Sequence, residues 1–396
     1  MLMVQQKTML ELKEKRLAYG ISQNKLAVAL GISRQYLSQM ETGKGTPSPE
    51  LLANINNKLE QWNPEQSLEL LFDYVRVRFP TTQVQGVIEN ILKLKMKVMI
   101  HEDYAFYSYE EQYVFGDITI MISHESEKGV LVEMKGQGCR QFENFLFAQQ
   151  RTWYDFFLDV LSAEGVFKRL DLAINDKTGL LNIPQLTEKC QKEECISVFR
   201  SFKNYRSGEL IRQQEKADMG NTLYIGSLKS DIYFCLYEKD YEQYIRLGIP
   251  LKENPVKNRF EIRLKNDRAL HAVIDLLNHR NVGETTFAII HRYIRFVDKD
   301  PNKPRSQWKL NAHWLLFLGQ NQRHLRLTSQ PEPYTFERTL RWLGHQVAPT
   351  LKLALQIDQN NQTTVIQDMV RNAKLSDRHK KVFHQQTLPV SDVITP

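Results

Sequence analysis

The sequence has 396 residues with 42% hydrophobic content, which is sufficient for two or three domains with cores of their own. The formal net charge of +7 suits a polyanionic partner without requiring one. The cysteines form no CxxC pair and have no zinc-binding spacing, so we predict that their thiols are reduced. They are Cys139, Cys190, Cys195 and Cys235. The N-terminus carries charge too early for a signal peptide and no long apolar run matches a membrane span, which predicts a soluble, cytoplasmic protein.

Residues 1–62 are predicted to form an all-α domain. Ser22 and Ser33 occupy N-cap positions of two short helices, Gly31 provides the turn between them, and Pro49 opens another helix. Two short helices joined by a glycine-containing turn are typical of the DNA-binding helix-turn-helix. A helical hairpin used for dimerisation is the alternative for the same pattern.

The second of these helices carries the expected DNA contacts. Leu37 and Met40 are predicted to face inward, which leaves polar side chains outside that can reach base edges in a major groove. These side chains belong to Arg34, Gln35, Tyr36 and Gln39. The module resembles the Cro/repressor (Xre) family, and this resemblance implies a salt bridge between Arg16 and Glu41.

A mostly antiparallel sheet is predicted for the region from residue 68 to about 345. The polar stretch 62–67, which contains Pro64, is the expected linker before it. Strands are predicted at 68–80, 113–123, 129–134, 167–176 and 256–266, with a hairpin whose tip is 228–231, and helices at 81–94, 152–164 and 186–201. Irregular alternation of strands, hairpins and helices is typical of an α+β domain with helices flanking the sheet.

The C-terminal section is predicted to be helical. The pattern becomes helical from about Leu270, and an amphipathic stretch is helical on both sides of Pro349. Residues 346–396 are expected to form a helical extension whose polar end, from Arg371 onwards, is a solvated tail.

The hairpin contains a candidate nucleophile, Tyr237, followed closely by Lys239. Apolar and polar residues alternate from Ile232 to Tyr237, and this period of two predicts a half-buried strand. Tyr237 and Lys239 share a face if the strand continues that far. An ordinary core or surface tyrosine is the alternative on these residues alone. Tyr241 is a second tyrosine in the same stretch, where a helix is expected to begin.

Two of the predicted strands carry charged polar faces. Asp171 in 167–176 and Glu261 in 256–266 each lie opposite three apolar residues. The same faces carry Arg169, Arg259 and Arg263. If both strands belong to one sheet, the carboxylates converge among the arginines, where carboxylates suit Mg²⁺ or Mn²⁺ and guanidinium groups suit phosphate. Ordinary Asp–Arg pairs on an exposed sheet are the alternative.

These motifs together resemble the replication initiation factor family. They are the stretches 129–143, 169–176, 222–243 and 258–266. The family comprises initiators of rolling-circle plasmids and the related MOBT relaxases of integrative and conjugative elements, and an N-terminal helix-turn-helix is similar to the conjugative-element members. The resemblance covers about residues 68–343. It implies an enzyme that nicks and rejoins DNA through a 5′-phosphotyrosyl link to one strand.

The resemblance also implies roles for individual residues. Tyr237 matches the family's tyrosine, and Asp171 and Glu261 match its recurrent acidic positions, which makes them the expected ligands of Mg²⁺ or Mn²⁺. Lys239 is the candidate to favour the tyrosinate or to neutralise phosphate charge, since free tyrosine titrates at about 10. Most relaxases use a His–hydrophobe–His metal motif. None of the ten histidines here sits two residues from another, so the site must rest on carboxylates with at most one histidine.

The stretch 129–143 offers no second convincing nucleophile. Cys139 has no adjacent base and is expected to be a buried cysteine after a glycine turn. Gln137 and Arg140 beside it are expected either to touch DNA or to brace the sheet.

The predicted function is that of a conjugative relaxase, which binds an origin of transfer as double- and single-stranded DNA and nicks one strand. Its expected partners are a coupling protein and auxiliary relaxosome proteins. A rolling-circle plasmid replication initiator with the same chemistry and a repressor with an inactive nuclease fold are the alternatives. A tyrosine recombinase is less suitable, since it needs a tyrosine near the C-terminus and Tyr334 is the only tyrosine after Tyr293.

Overall fold

The structure, a computed structural model, describes residues 2–19, 21–61, 68–208, 218–319, 340 and 343–395. The predicted linker at 62–67 lies outside these residues. So does half of the amphipathic stretch expected before Pro349, which is 335–348.

A helical module opens the chain. Its helices α1 to α4 are Leu2–Ala18, Gln23–Leu30, Arg34–Glu41 and Pro49–Gln61. The Ser33 hydroxyl oxygen accepts a hydrogen bond from the backbone N–H of Tyr36 at 3.1 Å, and the Ser48 hydroxyl accepts one from Leu51 at 3.1 Å. Because these caps satisfy N–H groups that have no partner within the helix, α3 and α4 begin where the sequence predicts.

Helix α3 turns its apolar side inward. Leu37 and Met40 are buried in a cluster with residues of the other three helices, as predicted. The exposed side chains are those of Arg34, Gln35, Tyr36 and Gln39. The burial pattern therefore presents to solvent the edge that a recognition helix places in the major groove.

A buried ion pair joins α1 to the end of α3. Arg16 Nε donates to Glu41 Oε1 at 2.6 Å, and Nη2 donates to Oε2 at 2.8 Å. Arg16 Nη1 also donates to the carbonyl of Ile21 at 2.5 Å, and Gln23 donates to Glu41 at 2.8 Å. The predicted pair is confirmed, and its bidentate geometry fixes how the two helices cross.

An antiparallel sheet of ten strands dominates the rest of the described chain. Its strands are β1 (Leu68–Phe79), β2 (Ile100–Glu102), β3 (Glu111–Phe115), β4 (Ile118–Ile122), β5 (Val130–Lys135), β6 (Val166–Asp176), β8 (Phe202–Gly208), β9 (Asp218–Ile225), β10 (Ile232–Glu238) and β11 (Asn258–Lys265). Their order is β2-β3-β4-β5-β1-β6-β11-β10-β9-β8. A small second sheet contains β7 (Cys195–Ser197), β12 (Ile294–Asp298) and β13 (Lys309–Leu310).

One face of the large sheet is apolar and lies under helices. The helices of this part are α5 (Gln137–Ala148), α6 (Trp153–Ser162), α7 (Ile183–Gln191), α8 (Lys239–Leu247), α9 (Asn266–His279), α10 (Val282–Tyr293) and α11 (Ala312–Leu318). The Phe72 ring of β1 packs 5.1 Å from that of Trp153 and 5.3 Å from that of Phe157, both in α6. Helices packed on an antiparallel sheet confirm the predicted α+β class.

The prediction of a helix at 186–201 is wrong for its second half. Helix α7 ends at Gln191, and Glu193 adopts a left-handed backbone with φ of 61° that a helix cannot continue through. The following residues Cys195–Ser197 form β7, which pairs with β12. Pairing with a distant strand, which local sequence does not reveal, decides the outcome here.

Two other predicted elements are divided in the structure. The single strand expected at 113–123 is a hairpin of β3 and β4, with Gly116 at φ of 59° in its turn. The helix expected at 81–94 is reduced to Val84–Gly86 and a π-helical turn, Val87–Ile91. Among the helices of the described residues, none combines the length and apolar character that a membrane span requires.

The last part of the C-terminal region packs against the sheet. It contains a π-helical turn (Leu343–Val347) and the helices α12 (Ala348–Asn361), α13 (Val365–Asn372), α14 (Asp377–Thr387) and α15 (Val390–Val393). Buried Gln385 donates to the carbonyls of Val98 at 2.8 Å and Val114 at 3.1 Å, and Ile394 forms a β-bridge with Leu94. The side chains from Arg371 to His384 are almost all exposed, as expected for a solvated segment. From Gln385 onwards, hydrogen bonds to backbone carbonyls near β3 hold the chain in place.

The buried ion pair predicts how the stability of the helical module responds to substitution. Replacing Glu41 (Glu41→Ala) leaves the Arg16 guanidinium buried without its carboxylate, which should cost about 3–5 kcal/mol in the free energy of unfolding. Thermal unfolding followed by circular dichroism measures the loss. Exposed Glu14 on α1 is the matched control, and Glu14→Ala should change the stability by no more than about 0.5 kcal/mol. Equal stability of the two variants would contradict this role of the pair.

Candidate active site

The polar face of the large sheet gathers the candidate residues from three adjacent strands. The antiparallel register places Arg263 opposite Asp171 between β11 and β6. Between β11 and β10, it places Arg259 opposite Tyr237. Because alternate residues of a strand face the same side, Glu261 lies between the two arginines on this face. The predicted convergence of both carboxylates with the arginines is what the structure shows.

Tyr237 is held by a hydrogen bond to a carboxylate. Its hydroxyl donates to Glu261 Oε1 at 2.7 Å. Burial raises the pKa of Tyr237 well above its ordinary value, the negative charge of Glu261 raises it further, and Arg259 opposes them. The phenol is therefore protonated in the free protein, with a proton acceptor already in contact. A cleft of about 210 Å³ lies beside it, between β9, β10 and α8.

Lys239 approaches Tyr237 from the start of α8 rather than along the strand. Strand β10 ends at Glu238, yet the Lys239 ammonium lies 5.5 Å from the centroid of the Tyr237 ring. Burial and the neighbouring charge of Arg259 lower the pKa of Lys239, and Glu242 forms an ion pair with it. Tyr241 stands in the first turn of α8, as predicted.

Both candidate metal-binding carboxylates are paired with arginine. Asp171 accepts from Arg169 Nε at 2.9 Å and Nη2 at 2.6 Å, and Glu261 Oε2 accepts from Arg263 Nε at 2.9 Å and Nη2 at 2.6 Å. Arg263 Nε also lies 3.9 Å from Asp171 Oδ2, so it stands between the two acids. Burial raises the pKa of Asp171 to about 6, with Arg169 opposing the rise and Glu261 adding to it.

Carboxylates are the protein ligands that a divalent ion bound together with phosphate takes, and in the free protein both candidates are engaged by guanidinium groups. Mg²⁺ commonly takes one or two carboxylates from the protein and completes its shell with phosphate oxygens and water. Asp171 and Glu261 supply two such carboxylates around Arg263. Within the described residues, no group of three or more His, Cys, Asp and Glu side chains is placed to hold an ion on its own.

Asp73 is a member of the site that sequence patterns did not single out. Arg259 Nη1 donates to Asp73 Oδ1 at 2.8 Å, and Arg259 Nε donates to Asn175 Oδ1 at 2.8 Å. Asp73 occupies a bulge in β1, where the pairing with β6 shifts between Phe72 and Tyr74. Burial raises the pKa of Asp73, but the charges of Arg259 and its cationic neighbours outweigh this and lower it.

A sequence signal for this bulge exists. The inward-facing apolar residues of β1 change parity, from Leu70 and Phe72 before Asp73 to Val75 and Val77 after it. A change of parity within a strand indicates an extra residue, and bulges are frequent next to active sites.

Arg140 has contacts different from those of Arg169, Arg259 and Arg263. It is buried in the first turn of α5, its Nη2 donates to the carbonyl of Phe72 at 2.6 Å, and it forms an ion pair with Glu143 at 2.8 Å. Of the two roles expected for it, these contacts favour bracing the sheet rather than touching DNA. Cys139 beside it is fully buried, and burial raises the pKa of its thiol well above the ordinary value, as expected for an inert cysteine.

Three family models match the chain. The one described as "Replication initiation factor" matches residues 165–370, and the "Rolling Circle replication initiation protein N-terminal domain" matches residues 69–159. A "Helix-turn-helix" model matches residues 12–60, the region of α1 to α4.

Similar proteins agree with these matches. The chain is 40% identical over 331 residues to "Putative DNA relaxase NicK" of Bacillus subtilis (strain 168). The aligned region spans 83% of this chain and 93% of that protein. The chain is also similar to the solved "Structure of Rolling Circle Replication Initiator Protein from Geobacillus stearothermophilus", at 28% identity and a TM-score of 0.57, over 66% of this chain and 99% of that one. On this similarity of sequence and fold, the chain belongs to the replication initiation factor family, with a helix-turn-helix module ahead of the family domain.

Proposed function

We propose that the protein is a conjugative relaxase, which nicks one DNA strand at an origin of transfer and rejoins it through a 5′-phosphotyrosyl intermediate. The observation that carries this proposal is the 2.7 Å hydrogen bond from the Tyr237 hydroxyl to Glu261 Oε1. It joins a candidate nucleophile to a proton acceptor at the distance that proton transfer requires. Family membership and the relative named as a DNA relaxase support the same chemistry.

In the proposed reaction, Tyr237 attacks the scissile phosphate in line with the leaving 3′ oxygen. The phenolic proton passes to Glu261 Oε1, a bond forms between the phenolic oxygen and phosphorus, and the bond from phosphorus to the 3′ oxygen breaks. The 3′ oxygen takes a proton from solvent and leaves as a hydroxyl. Rejoining reverses these steps, so no nucleotide cofactor is required.

The surrounding cations stabilise the charge that develops during attack. Arg259 lies 4.0 Å from Glu261, and Lys239 lies near the Tyr237 ring, so both are placed to offset negative charge on the phenolic oxygen and the phosphate. A divalent ion held by Asp171 and Glu261 would neutralise further charge on the scissile phosphate. Glu261 Oε1 faces Tyr237 and Oε2 accepts from Arg263, so an ion bound at Oε2 would replace that guanidinium group.

The conjugative role rests on the N-terminal module and on the relative. A helix-turn-helix that reads double-stranded DNA through Arg34, Gln35, Tyr36 and Gln39 would bring the catalytic face to an origin of transfer. A coupling protein and auxiliary relaxosome proteins in the cytoplasm are the proposed partners. The second candidate is a rolling-circle replication initiator, favoured by the similar solved structure of that name. Loss of transfer frequency in a strain lacking the gene, with replication of the element intact, would favour the relaxase.

Substitution of the nucleophile tests the central step. Tyr237→Phe should abolish the covalent protein–DNA adduct, because the variant has no oxygen to attack phosphorus. Binding of origin DNA should stay within about twofold of wild type. Denaturing gel electrophoresis of protein incubated with labelled origin DNA measures the adduct. Tyr241→Phe is the matched control and should form the adduct normally, so loss of the adduct in this variant alone would reassign the nucleophile.

Charge-neutral substitutions test the carboxylates. Asp171→Asn and Glu261→Gln preserve side-chain size but weaken cation binding, and the second also removes the proton acceptor. Nicking of a supercoiled origin plasmid should fall about 10²–10⁴-fold in Glu261→Gln. In Asp171→Asn it should fall as well, with partial recovery in excess Mn²⁺. Asp275→Asn on helix α9, which faces the other side of the sheet, should retain activity. Full wild-type activity in EDTA would remove the metal from the mechanism.

Truncation tests the division of labour between the proposed domains, 1–62, 68–345 and 346–396. The first contains eight Lys and Arg against five Glu, which suits phosphate contacts. Deleting the residues before Ser67 should weaken binding to double-stranded origin DNA, with each lost base contact worth about 1–3 kcal/mol. Cleavage of a short single-stranded origin oligonucleotide should persist, because Tyr237, Asp171 and Glu261 lie in the second domain. A folded truncation that cannot cut single strands would show that the first domain helps to build the active site.

A further inference from the structure

The loop between β2 and β3, residues 103–110, exposes three aromatic side chains close together in sequence. Tyr104 is 53% exposed, Phe106 60% and Tyr107 49%. We call this segment the aromatic loop. Large apolar rings that stay in water near one another mark a surface that another molecule covers.

The aromatic loop is held in a defined conformation. Tyr107 and Ser108 have φ of 56° and 59°, and two successive residues other than glycine in the left-handed region are unusual. Tyr109 anchors the loop by packing in a buried cluster with Met121 and Leu131. Lys128 donates to the carbonyl of Ser108. Strained backbone of this kind persists where the surrounding contacts enforce it, which is common at binding sites.

Cations lie among the rings on the polar face of the sheet. The Arg76 guanidinium is 4.4 Å from the centroid of the Tyr107 ring, and its Nη2 donates to the Tyr107 hydroxyl at 2.6 Å. The Lys135 ammonium lies 6.0 Å from the same centroid, and that of Lys128 lies 4.8 Å from the Tyr109 ring. Rings interleaved with cations are the combination that binds single-stranded nucleic acid, where bases stack and phosphates are neutralised.

The aromatic loop is connected to the candidate nucleophile by a continuous series of polar contacts. Arg76 Nη2 donates to the Tyr74 hydroxyl at 2.5 Å, and the Arg169 guanidinium lies 3.9 Å from the centroid of the Tyr74 ring. Arg169 then pairs with Asp171, which is followed on the same face by Arg263, Glu261 and Tyr237. Three strand spacings separate β1 from β10, about 14 Å in all. Arg76, which donates to the Tyr107 hydroxyl of the aromatic loop, lies on β1.

We propose that the aromatic loop is a binding subsite for unpaired bases of the DNA strand, away from the bond that Tyr237 cleaves and on the same face of the sheet. This inference rests on the proposed function, since it extends the path of the cleaved strand across the polar face. Tyr104 and Phe106 stack on bases. Arg76 and Lys135 both pair with Glu133 in the free protein, and the half-exposed Lys135 ammonium exchanges that carboxylate for a phosphate of the strand. Single-stranded DNA is the occupant because the base faces that such rings require are hidden inside a duplex.

Binding of two oligonucleotides of equal length and charge tests the subsite. The probes are fluorescein-labelled (dT)20 and a 20-mer with the same backbone and abasic sites throughout, measured by fluorescence anisotropy with the full chain at matched salt. The double variant Tyr104→Ala/Phe106→Ala should raise the Kd for (dT)20 by at least about fivefold per ring. Wild type should lose affinity similarly on the abasic probe. On the abasic probe, the Kd of the double variant should be close to that of wild type, because a ring adds affinity only where a base can stack on it.

Two control variants separate stacking from general damage. Tyr104→Phe keeps a ring and should bind (dT)20 as wild type does. Phe147→Ala removes a 75% exposed ring from α5, on the helix-covered side of the sheet, and should also leave the Kd unchanged. The melting temperature of every variant should match wild type, since all the substituted rings are exposed.

The outcomes separate the inference from the proposed function. If wild type nicks the origin plasmid but binds both probes equally, or if the double variant binds (dT)20 as tightly as wild type, the subsite is overturned and the relaxase proposal stands. If wild type neither nicks the plasmid nor binds (dT)20, the proposed function itself fails. Weaker binding of (dT)20 by the double variant alone, with the two control variants unchanged, supports the subsite.

Discussion

The antiparallel register of β6, β11 and β10 is the constraint on which the rest of the site depends. Leu172, Ile262 and Phe234 are fully buried on the helix-covered face, and this burial fixes the register of the three strands. Because side chains alternate, the same register sends Asp171, Glu261 and Tyr237 to the opposite face. A slip of one residue in any of these strands would bury charged side chains and expose the core, which makes the arrangement strongly specified.

Charge balance explains how the carboxylates of Asp171 and Glu261 can be buried on that face. Each carboxylate has lost most of its hydration, so it is kept in place by guanidinium groups that donate two hydrogen bonds to it. Arg263 stands between Asp171 and Glu261 and limits their mutual repulsion. The same network leaves Tyr237, the proposed nucleophile, as a protonated phenol whose hydroxyl donates to Glu261 before any substrate is bound.

The polar face extends well beyond the tyrosine. The bulge at Asp73 turns β1 so that Tyr74 and Arg76 continue the row of aromatic and cationic side chains towards the aromatic loop. The helix-turn-helix has its own hydrophobic cluster and its own buried ion pair. The proposed roles, in which the helix-turn-helix reads double-stranded DNA and the sheet face binds a single strand, agree with the two kinds of DNA that a nicking enzyme must contact.

The sequence by itself determined the elements whose signals are local. Capping residues such as Ser33 defined the helix-turn-helix, and alternation of apolar residues defined β6, β10 and β11, including which of their residues face away from the core. It did not determine the partners of short segments. The strand at Cys195–Ser197 and the packing of Gln385 depend on contacts with residues about a hundred or more positions away, and local propensity carries no information about them. Only the tertiary structure joined Asp73 to Arg259 and Tyr107 to Arg76, because hydrogen bonds between distant strands form once the sheet order is set.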